Sequence, residues 1–552
     1  MKELILKHAV VNAIEYNGKA SVQAVLGKVL AEDPNLKNKI KELAQEIGKT
    51  VEEVNSWSLE KQKKKFKEMK IKVAEKEERK GLPELPNVKK YKKIVMRLAP
   101  FPSGPLHIGN ARMVILNDEY CKKYKGRLLL VVDDTIGSEE KVIIPEAYDL
   151  ILDGLKWLDV KWDEVLYKSD RIDGVYKVAE EMIKKDIAYV CECDIETLRK
   201  NRFDGIECAH RKQSVEENLK KWKSMLDGKY KEGEAALRLK TDMKHPNPAF
   251  RDRVLLRVAE RNHPRVGKKY RVWPMLEFSW AVDDHLLGIT HILRGKDLAM
   301  EDMMEDFIWS KLGWKKTEFI HYGMLKIKDV KLSKTQARIA IANGKYSGWD
   351  DPRTWSLQSL RRRGIQPEAI RKFIIGMGLS LADVSVPMEM LYAENRKIID
   401  SKANRYFAVL YPVEISVDGM KIKDVKVPLH PDFPKRGSKK IPVETKKIYI
   451  ELEDFEKHRG EEVGLMNLAT IKLDKNSKFV SKNVKMEVQK MQWVSEPNVK
   501  LKIIMPDGSV KKAIAEPEIK NVKVGELIQL PRIGFCRCDE NKNDIVLYFA
   551  HK

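Results

Sequence analysis

Two short segments hold the residues best suited to chemistry on a polyphosphate. Pro100-Phe101-Pro102-Ser103-Gly104-Pro105-Leu106-His107-Ile108-Gly109-Asn110 sets a proline-stiffened turn, then His107 and Gly109, at the mouth of an expected helix. A helix N-terminus offers free backbone N–H groups and the positive end of its dipole to a phosphate chain. Gly109 would let a flat base or a phosphate approach with no Cβ in the way, and His107 can donate to phosphate oxygens as charge develops on them. Some 220 residues later, Lys331-Leu332-Ser333-Lys334-Thr335 brings two ammonium groups on a polar loop, within reach of a pyrophosphate leaving group. Alone, His-Ile-Gly reads as an ordinary turn and the lysines as a solvated loop. Together they look built to hold a nucleoside triphosphate through Pro100, Gly104, His107, Gly109 and Lys334. No Ser-His-Asp arrangement is evident, and none is needed if a substrate carboxylate is itself the nucleophile.

A second constellation is Cys191-x-Cys193 with Cys208-x-His210 after a 14-residue connection. Period-two spacing on a strand would put Cys191 and Cys193 on one face, and the second pair completes three sulfurs and one nitrogen for a tetrahedral zinc. Buried thiols are common, so a core role is the alternative. Cys536 and Cys538 share a strand face without a partner pair and read as core, as does Cys121. Gly48-Lys49-Thr50 ends like a phosphate-binding P-loop, but Leu43 stands where the first glycine would be needed.

The elements that must position these residues follow from the hydrophobic pattern. Lys93 to Leu98 reads as a buried strand, Ile108 to about Tyr124 as a helix stopped by Gly126, and Arg127 to Val132 as a second buried strand ending in Asp133-Asp134. Strand, helix, strand within about 40 residues is the start of a doubly wound parallel sheet, whose ligand site lies beyond the C-terminal strand ends where His107 and Asp133 fall. Thr290 to Arg294, a helix through Trp309, and Phe319 to Tyr322 form a second such portion leading to the lysine loop. From about residue 395 the pattern changes to short strands and turns, which suggests β-barrels. At the other end, Leu36, Ile40, Leu43 and Ile47 share a helical face before Gly48, and Thr50 with Glu53 has capping-box spacing.

The chain has 552 residues, 43% hydrophobic and 34% charged, enough for several domains with a heavily charged surface. Its net charge of +23 favours a polyanionic partner held through phosphates. A thermally stable surface rich in Lys and Glu is the bland alternative. Residues 61–80 carry ten Lys or Arg against four Glu, which fits a solvated helix or an RNA-contacting arm equally. Six cysteines make no disulfide scaffold, no run of 18 apolar residues occurs, and the first residues lack a signal-peptide pattern, so a cytoplasmic protein without membrane attachment is expected.

The two segments resemble, in order and separation, the His-Ile-Gly-His and Lys-Met-Ser-Lys-Ser signatures of class I aminoacyl-tRNA synthetases. Arg97 to Gly104, Asp133-Asp134-Thr135, Val282 to His291 and Leu293-Arg294-Gly295-Lys296-Asp297 are similar to glutamyl-tRNA synthetase segments. Gly348-Trp349-Asp350-Asp351-Pro352-Arg353 and Leu360-Arg361-Arg362-Arg363-Gly364 resemble the archaeal and eukaryotic branch shared with glutaminyl enzymes. The resemblance covers about residues 90–552 and is nearest to the archaeal-type glutamyl enzymes.

That resemblance implies an α/β plus β architecture. A helical region at 1–88 precedes a Rossmann catalytic domain at 89–185 and 269–340, with an acceptor-end domain inserted at 186–268. A helical stem-contact region at 341–395 and anticodon-binding β-barrels at 396–552 complete it. It implies activation of L-glutamate with Mg-ATP and transfer to the terminal adenosine of tRNA-Glu, with tRNA-Gln and a tRNA-dependent amidotransferase as further partners it admits. His107, Asn110, Lys331 and Lys334 would be catalytic, Asp133 or Asp134 would hold the α-ammonium, and Arg97 with Arg294 would face carboxylate. Cys191, Cys193, Cys208 and His210 match a zinc knuckle that relatives bear in the inserted domain. Asn110 replaces the second signature histidine, Leu332 and Thr335 are mild changes, and Leu276 and Trp280 stand where relatives often carry Tyr and polar residues. Arg294 offers only donors, which suits glutamate over glutamine. A glutaminyl enzyme and a non-catalytic tRNA-binding protein are the rival readings.

Overall fold

The computed structural model describes residues 2–15, 18–33, 36, 40–69, 81–138, 142–328, 330, 332–542 and 544–552. It divides into two units, Met1–Lys80 and Gly81–Lys552. The first holds helices Lys2–Glu15, Val22–Glu32, Ile40–Ser56 and Leu59–Glu68 around Ile5, Val10, Val25, Leu43, Ile47 and Val54. The expected break at Gly48 does not occur, and Thr50 is no cap: its hydroxyl donates to Glu46 O inside one continuous helix. A helical glycine costs about 1 kcal/mol, and the buried stripe of Leu43, Ile47, Val51 and Val54 running through it offsets that cost. In the basic run, Lys61, Lys63, Lys64 and Lys67 are exposed on the last helix, and residues 70–80 lie outside the described residues.

In the second unit, strands Val95–Leu98, Arg127–Val132 and Glu164–Tyr167 form a parallel sheet, with helix Ile108–Tyr124 crossing between the first two. Their inward residues Met96, Leu98, Leu128 and Leu130 pack against Ile108, Ile115 and Leu116 of that helix. Gly126 does not supply the helix-ending left-handed residue; Lys125 does, at φ +52°. Gly126 is required for another reason, since a Cβ there would sit 2.7 Å from Ile94 O. The second half contributes the parallel pair His291–Gly295 and Glu318–Tyr322 with helices Leu276–Leu286 and Ala299–Leu312. Thr290 joins the halves, its N–H donating to Val95 O at 2.9 Å.

Between the halves lies a four-stranded antiparallel sheet: Ala188–Cys191, Ala236–Leu239, Val254–Val258 and Val272–Pro274. Its last strand runs past residue 268, where the insertion was expected to end, because Val272 and Trp273 pair with Val258 and Arg257 before the chain returns to the parallel fold. After helices Leu357–Arg363, Pro367–Met377 and Glu389–Ile399 come two seven-stranded sheets. The chain interleaves them: Ala408–Leu410 belongs with Val510–Ala515, while the next strand, Pro412–Asp418, pairs with Ile448–Glu451. Cys536, Cys538 and Cys121 are buried in apolar cores, as expected. No helix among the described residues is long and apolar enough to cross a membrane.

Candidate active site

A cleft of about 470 Å³ opens at the C-terminal ends of the parallel strands, lined by Pro100, Asn110, Asp133, Trp280 and Lys334 among others. His107 caps the helix Ile108–Tyr124, and its ring folds back so that Nδ1 accepts the Gly109 N–H at 3.1 Å. That bond settles the tautomer, because an accepting Nδ1 leaves the hydrogen on Nε2. Burial first, and the Lys334 charge second, lower the His107 pKa to about 4, so a neutral imidazole donates through Nε2 at neutral pH. Asn110 Oδ1 accepts the His107 N–H at 3.2 Å, which reserves the opposite, donating edge of the amide for a ligand.

The backbone cradle expected from the helix N-terminus is not available. Ile108 N–H donates to Trp355 O, Gly109 N–H to His107 Nδ1, and Asn110 and Ala111 N–H both to His107 O. Donors toward the phosphates therefore have to come from side chains. Gly109 also serves a purpose other than ligand approach: a Cβ there would meet the His107 ring at 2.9 Å and Leu332 Cδ1 at 3.2 Å. The two signature segments thus touch through Leu332, and again where Lys334 Nζ donates to Gly104 O at 3.3 Å. Lys334 is not on the expected loop. It opens helix Lys334–Ala342, because Ser333 caps that helix by accepting the Gln336 N–H. Lys331 lies outside the described residues. Gly104 has φ +145°, and Trp349 fills the place of its Cβ at 2.8 Å; Pro100 O accepts the Asp133 N–H.

Around Trp280, which lines the cleft, lies a buried charge cluster. Arg97 forms a two-pronged pair with Asp284 at 2.5 and 2.7 Å, and although burial opposes its charge, Asp284 together with Glu305 and Asp133 holds the pKa up. Arg294 donates to Asp302 at 2.7 Å and to Glu305 at 2.8 Å. Trp280, unremarkable on hydrophobic pattern, is the hub: Arg97, Lys168 and Arg294 lie 4.8, 5.2 and 4.9 Å from its ring. Lys168 escaped the sequence reading because a lone lysine carries no motif. It is 2% exposed, bonded to Ser279 Oγ at 2.6 Å and 3.7 Å from Asp133, and burial pushes its pKa down. Burial also pushes Glu305 up to about 8, so it is largely protonated at neutral pH.

The two neighbouring aspartates part company. Asp134 is saturated by Tyr148, Ser169 N–H and Ser169 Oγ at 3.1, 2.9 and 2.7 Å, so of the two it is the one that braces the fold. Asp133 keeps Oδ2 buried and without a hydrogen-bond partner among the described residues, an arrangement that calls for one.

In the inserted sheet, the strand ends at Cys191, so Cys193 is not its strand neighbour as expected, yet the four donor atoms still converge within 4.8 Å of one another. Cys191 Sγ is 3.8 Å from Cys208 Sγ, and Cys193 Sγ is 3.4 Å from His210 Nδ1. Bonds of about 2.3 Å to sulfur at a tetrahedral angle put ligand atoms about 3.8 Å apart, which these spacings fit. Arg238 Nη1, 3.5 Å from Cys191 Sγ, supplies a charged donor to the sulfurs.

Residues 93–401 match the family model of the catalytic domain of class I tRNA synthetases (E and Q). The chain belongs to this family. Residues 403–492 and 476–539 match its two anti-codon binding domain models, which assigns the paired seven-stranded sheets of this synthetase. Proteins named glutamate–tRNA ligase are similar over their full lengths. Those of Pyrococcus furiosus and Methanocaldococcus jannaschii are each 44% identical, and that of Methanobrevibacter smithii 41%, with 100% of both chains covered. A solved glutamate tRNA ligase from Elizabethkingia meningosepticum matches 57% of this chain and 71% of its own at TM-score 0.42 and 18% identity, too loosely for any argument to rest on it.

Proposed function

We infer that this synthetase is a glutamate–tRNA ligase: it activates L-glutamate with Mg-ATP to the adenylate, releases pyrophosphate, and passes the acyl group to the 3′-terminal adenosine of tRNA-Glu. The observation that carries this reading is one cleft lined by Asn110 and Lys334, with His107 capping the helix that bears Asn110, and by Asp133 and Trp280, the ring around which Arg97, Lys168 and Arg294 gather. The likeness of the whole chain to glutamate–tRNA ligases supports the amino acid. The glutamate carboxylate is the nucleophile at the α-phosphorus, so the chain supplies no nucleophile of its own. Lys334 and the His107 Nε2–H meet charge accumulating on the phosphates, and Asn110 adds an amide donor. Lys331 would join them. Asp133 Oδ2 takes the α-ammonium, and Arg294 with Arg97 faces carboxylate.

Arg294 disfavours glutamine, whose amide presents donors to a donor-only guanidinium. Charging assays with labelled glutamate and glutamine on purified tRNA decide the point: acylation by glutamine alone, or by neither, overturns the reading. We further propose that the enzyme works in the cytoplasm and glutamylates tRNA-Gln as well, a product that a tRNA-dependent amidotransferase would convert. A kcat/KM for tRNA-Gln about four decades below that for tRNA-Glu would show it to be specific instead. Cys191, Cys193, Cys208 and His210 fit a structural zinc, which would fold the turn after the strand Ala188–Cys191. Elemental analysis of protein prepared without chelator should find about one zinc per chain, lost in a Cys191→Ser, Cys208→Ser double variant.

A further inference from the structure

The segment 349–363 is attached at one end to the His107 loop and at the other to the second barrel, the seven-stranded sheet that holds Val510–Ala515, Gly534–Asn541 and Ile545–His551. On the catalytic side, Trp349 occupies the place of a Cβ on Gly104, Ile108 N–H donates to Trp355 O at 3.2 Å, and Leu357 N–H donates to Leu106 O at 2.8 Å. His107 and Ser356 form a one-residue antiparallel bridge. Trp355 holds φ +54°, a left-handed backbone that bulky residues adopt only under constraint, and that constraint turns its carbonyl toward Ile108. The turn is internally pinned, with Ser356 Oγ donating to Trp349 O at 2.6 Å.

On the barrel side, Arg363 is 1% exposed. Its guanidinium donates to Phe549 O at 3.2 Å and Ala550 O at 2.8 Å, both on strand Ile545–His551, and lies 4.8 Å from the Trp355 ring. Tyr392 OH accepts a third bond at 2.9 Å. Arg362 holds Asp539 of the adjacent strand at 2.7 Å and Asp350 at 3.1 Å. Arg353 fills the side-chain space of Gly508, whose turn joins Val499–Ile504 to Val510–Ala515. Three separate points of the barrel therefore grip a segment that touches the phosphate-side loop at three.

We propose that Arg363 and Trp355 are positioning residues for the reaction, holding the His107 loop at the geometry of adenylate formation by anchoring it to the last two strands of the second barrel. The proposal rests on the ligase reading above. Because the four first-turn N–H groups of the helix are already bonded, three to His107 and one to Trp355 O, the donor aimed at the phosphates is a side chain on that loop, and its placement depends on what the loop leans against. A loop shifted by about 1 Å keeps ATP affinity and loses rate. The same contacts make the barrel a lever on the site: a tRNA that shifts strand Ile545–His551 shifts the carbonyls that Arg363 holds, and with them Trp355.

The test uses the full chain, with the active fraction of each preparation counted by titrating bound adenylate, so that misfolded protein drops out. Arg363→Lys keeps the charge and loses the two-carbonyl fork; Trp355→Phe keeps a ring and loses its reach. Each should lower kcat for tRNA-dependent ATP–pyrophosphate exchange by about ten- to a hundredfold while KM for ATP stays within about twofold. The double variant should cost little more than the worse single one, because both break one path. Replacing anticodon bases of tRNA-Glu should lower kcat in the parent protein and have a smaller effect in Arg363→Lys. Full kcat per titrated site in both single variants, additive losses, or an unchanged anticodon effect each overturns the proposal. Absence of glutamate-dependent exchange in the parent protein sinks the ligase reading instead.

Discussion

The two ends of the cleft solve opposite electrostatic problems. At the phosphate end the donors are held ready and unspent: a neutral His107 whose tautomer is set by Gly109 N–H, and an Asn110 amide with one edge engaged. At the amino-acid end the cations are already spent, Arg97 on Asp284 and Arg294 on Asp302 and Glu305. The difference follows from when the charge appears. Charge on the phosphates grows in the transition state, so donors not committed to the ground state accelerate the step. A glutamate carboxylate is charged before it arrives, so its site must keep buried guanidiniums paired until a ligand competes for them.

The largest effect that would break this contrast is at Arg294. Arg294→Cys should cost glutamate use about 3–5 kcal/mol in kcat/KM, the loss expected when a buried charge is left without its partner, with ATP binding little changed. Steady-state kinetics in which glutamate kcat/KM barely moves would remove Arg294 from the site. Next, His107→Ala and Lys334→Ala should each lower kcat for adenylate formation by about a hundredfold and leave tRNA affinity nearly intact. Near-normal activation in both variants would mean that neither side chain acts on the phosphates.

A smaller effect tests Glu305. Its pKa, raised by burial to about 8, favours the protonated form in the folded state, so the stability it contributes is complete below the ordinary carboxylate value and is lost as pH rises through about 8. Above that pH its charge competes for Arg294, and KM for glutamate should rise several-fold between about pH 7 and 9. Glu305→Gln should flatten the rise; an unchanged profile in that variant assigns it elsewhere.

The smallest expected effect is at His107. With a folded pKa of about 4 against an ordinary 6.5, it stays neutral and its share of stability is complete above 6.5, declining as pH falls toward 4. Exchange kinetics should therefore show no step attributable to His107 between pH 6 and 8. A rate that falls as pH rises through 6.5, and does so only while His107 is present, would show that the imidazolium acts instead.

Much of the parallel fold is legible in the sequence, because its elements are local and periodic. Helix Ile108–Tyr124 and strand Arg127–Val132 run where the apolar pattern put them. Helix Ile40–Ser56 could not be read past Gly48, since a punctuating residue outweighs periodicity in a sequence, whereas packing of Val51 and Val54 outweighs it in the protein. Lys168 and the Arg363 anchor were invisible for another reason. Their partners stand more than 100 residues away, at Ser279 and at Phe549, and a single charged residue has no period.

By itself the sequence determined which residue types are at hand: a capped helix bearing His107, a lysine segment, two aspartates ending a buried strand, three sulfurs and an imidazole, and an arginine able to face carboxylate. These rest on short-range spacing, which survives in the linear chain. Tertiary structure alone decided that Asp134 is consumed by Tyr148 and Ser169 while Asp133 Oδ2 has no hydrogen bond among the described residues, with Lys168 at 3.7 Å as its neighbouring charge. It also decided that Trp280 gathers three cations, and that Gly109 and Gly104 make room for Leu332 and Trp349. Those outcomes depend on which distant groups reach a given atom first once the sheets close, and hydrogen-bond capacity taken by one neighbour is no longer available to a ligand.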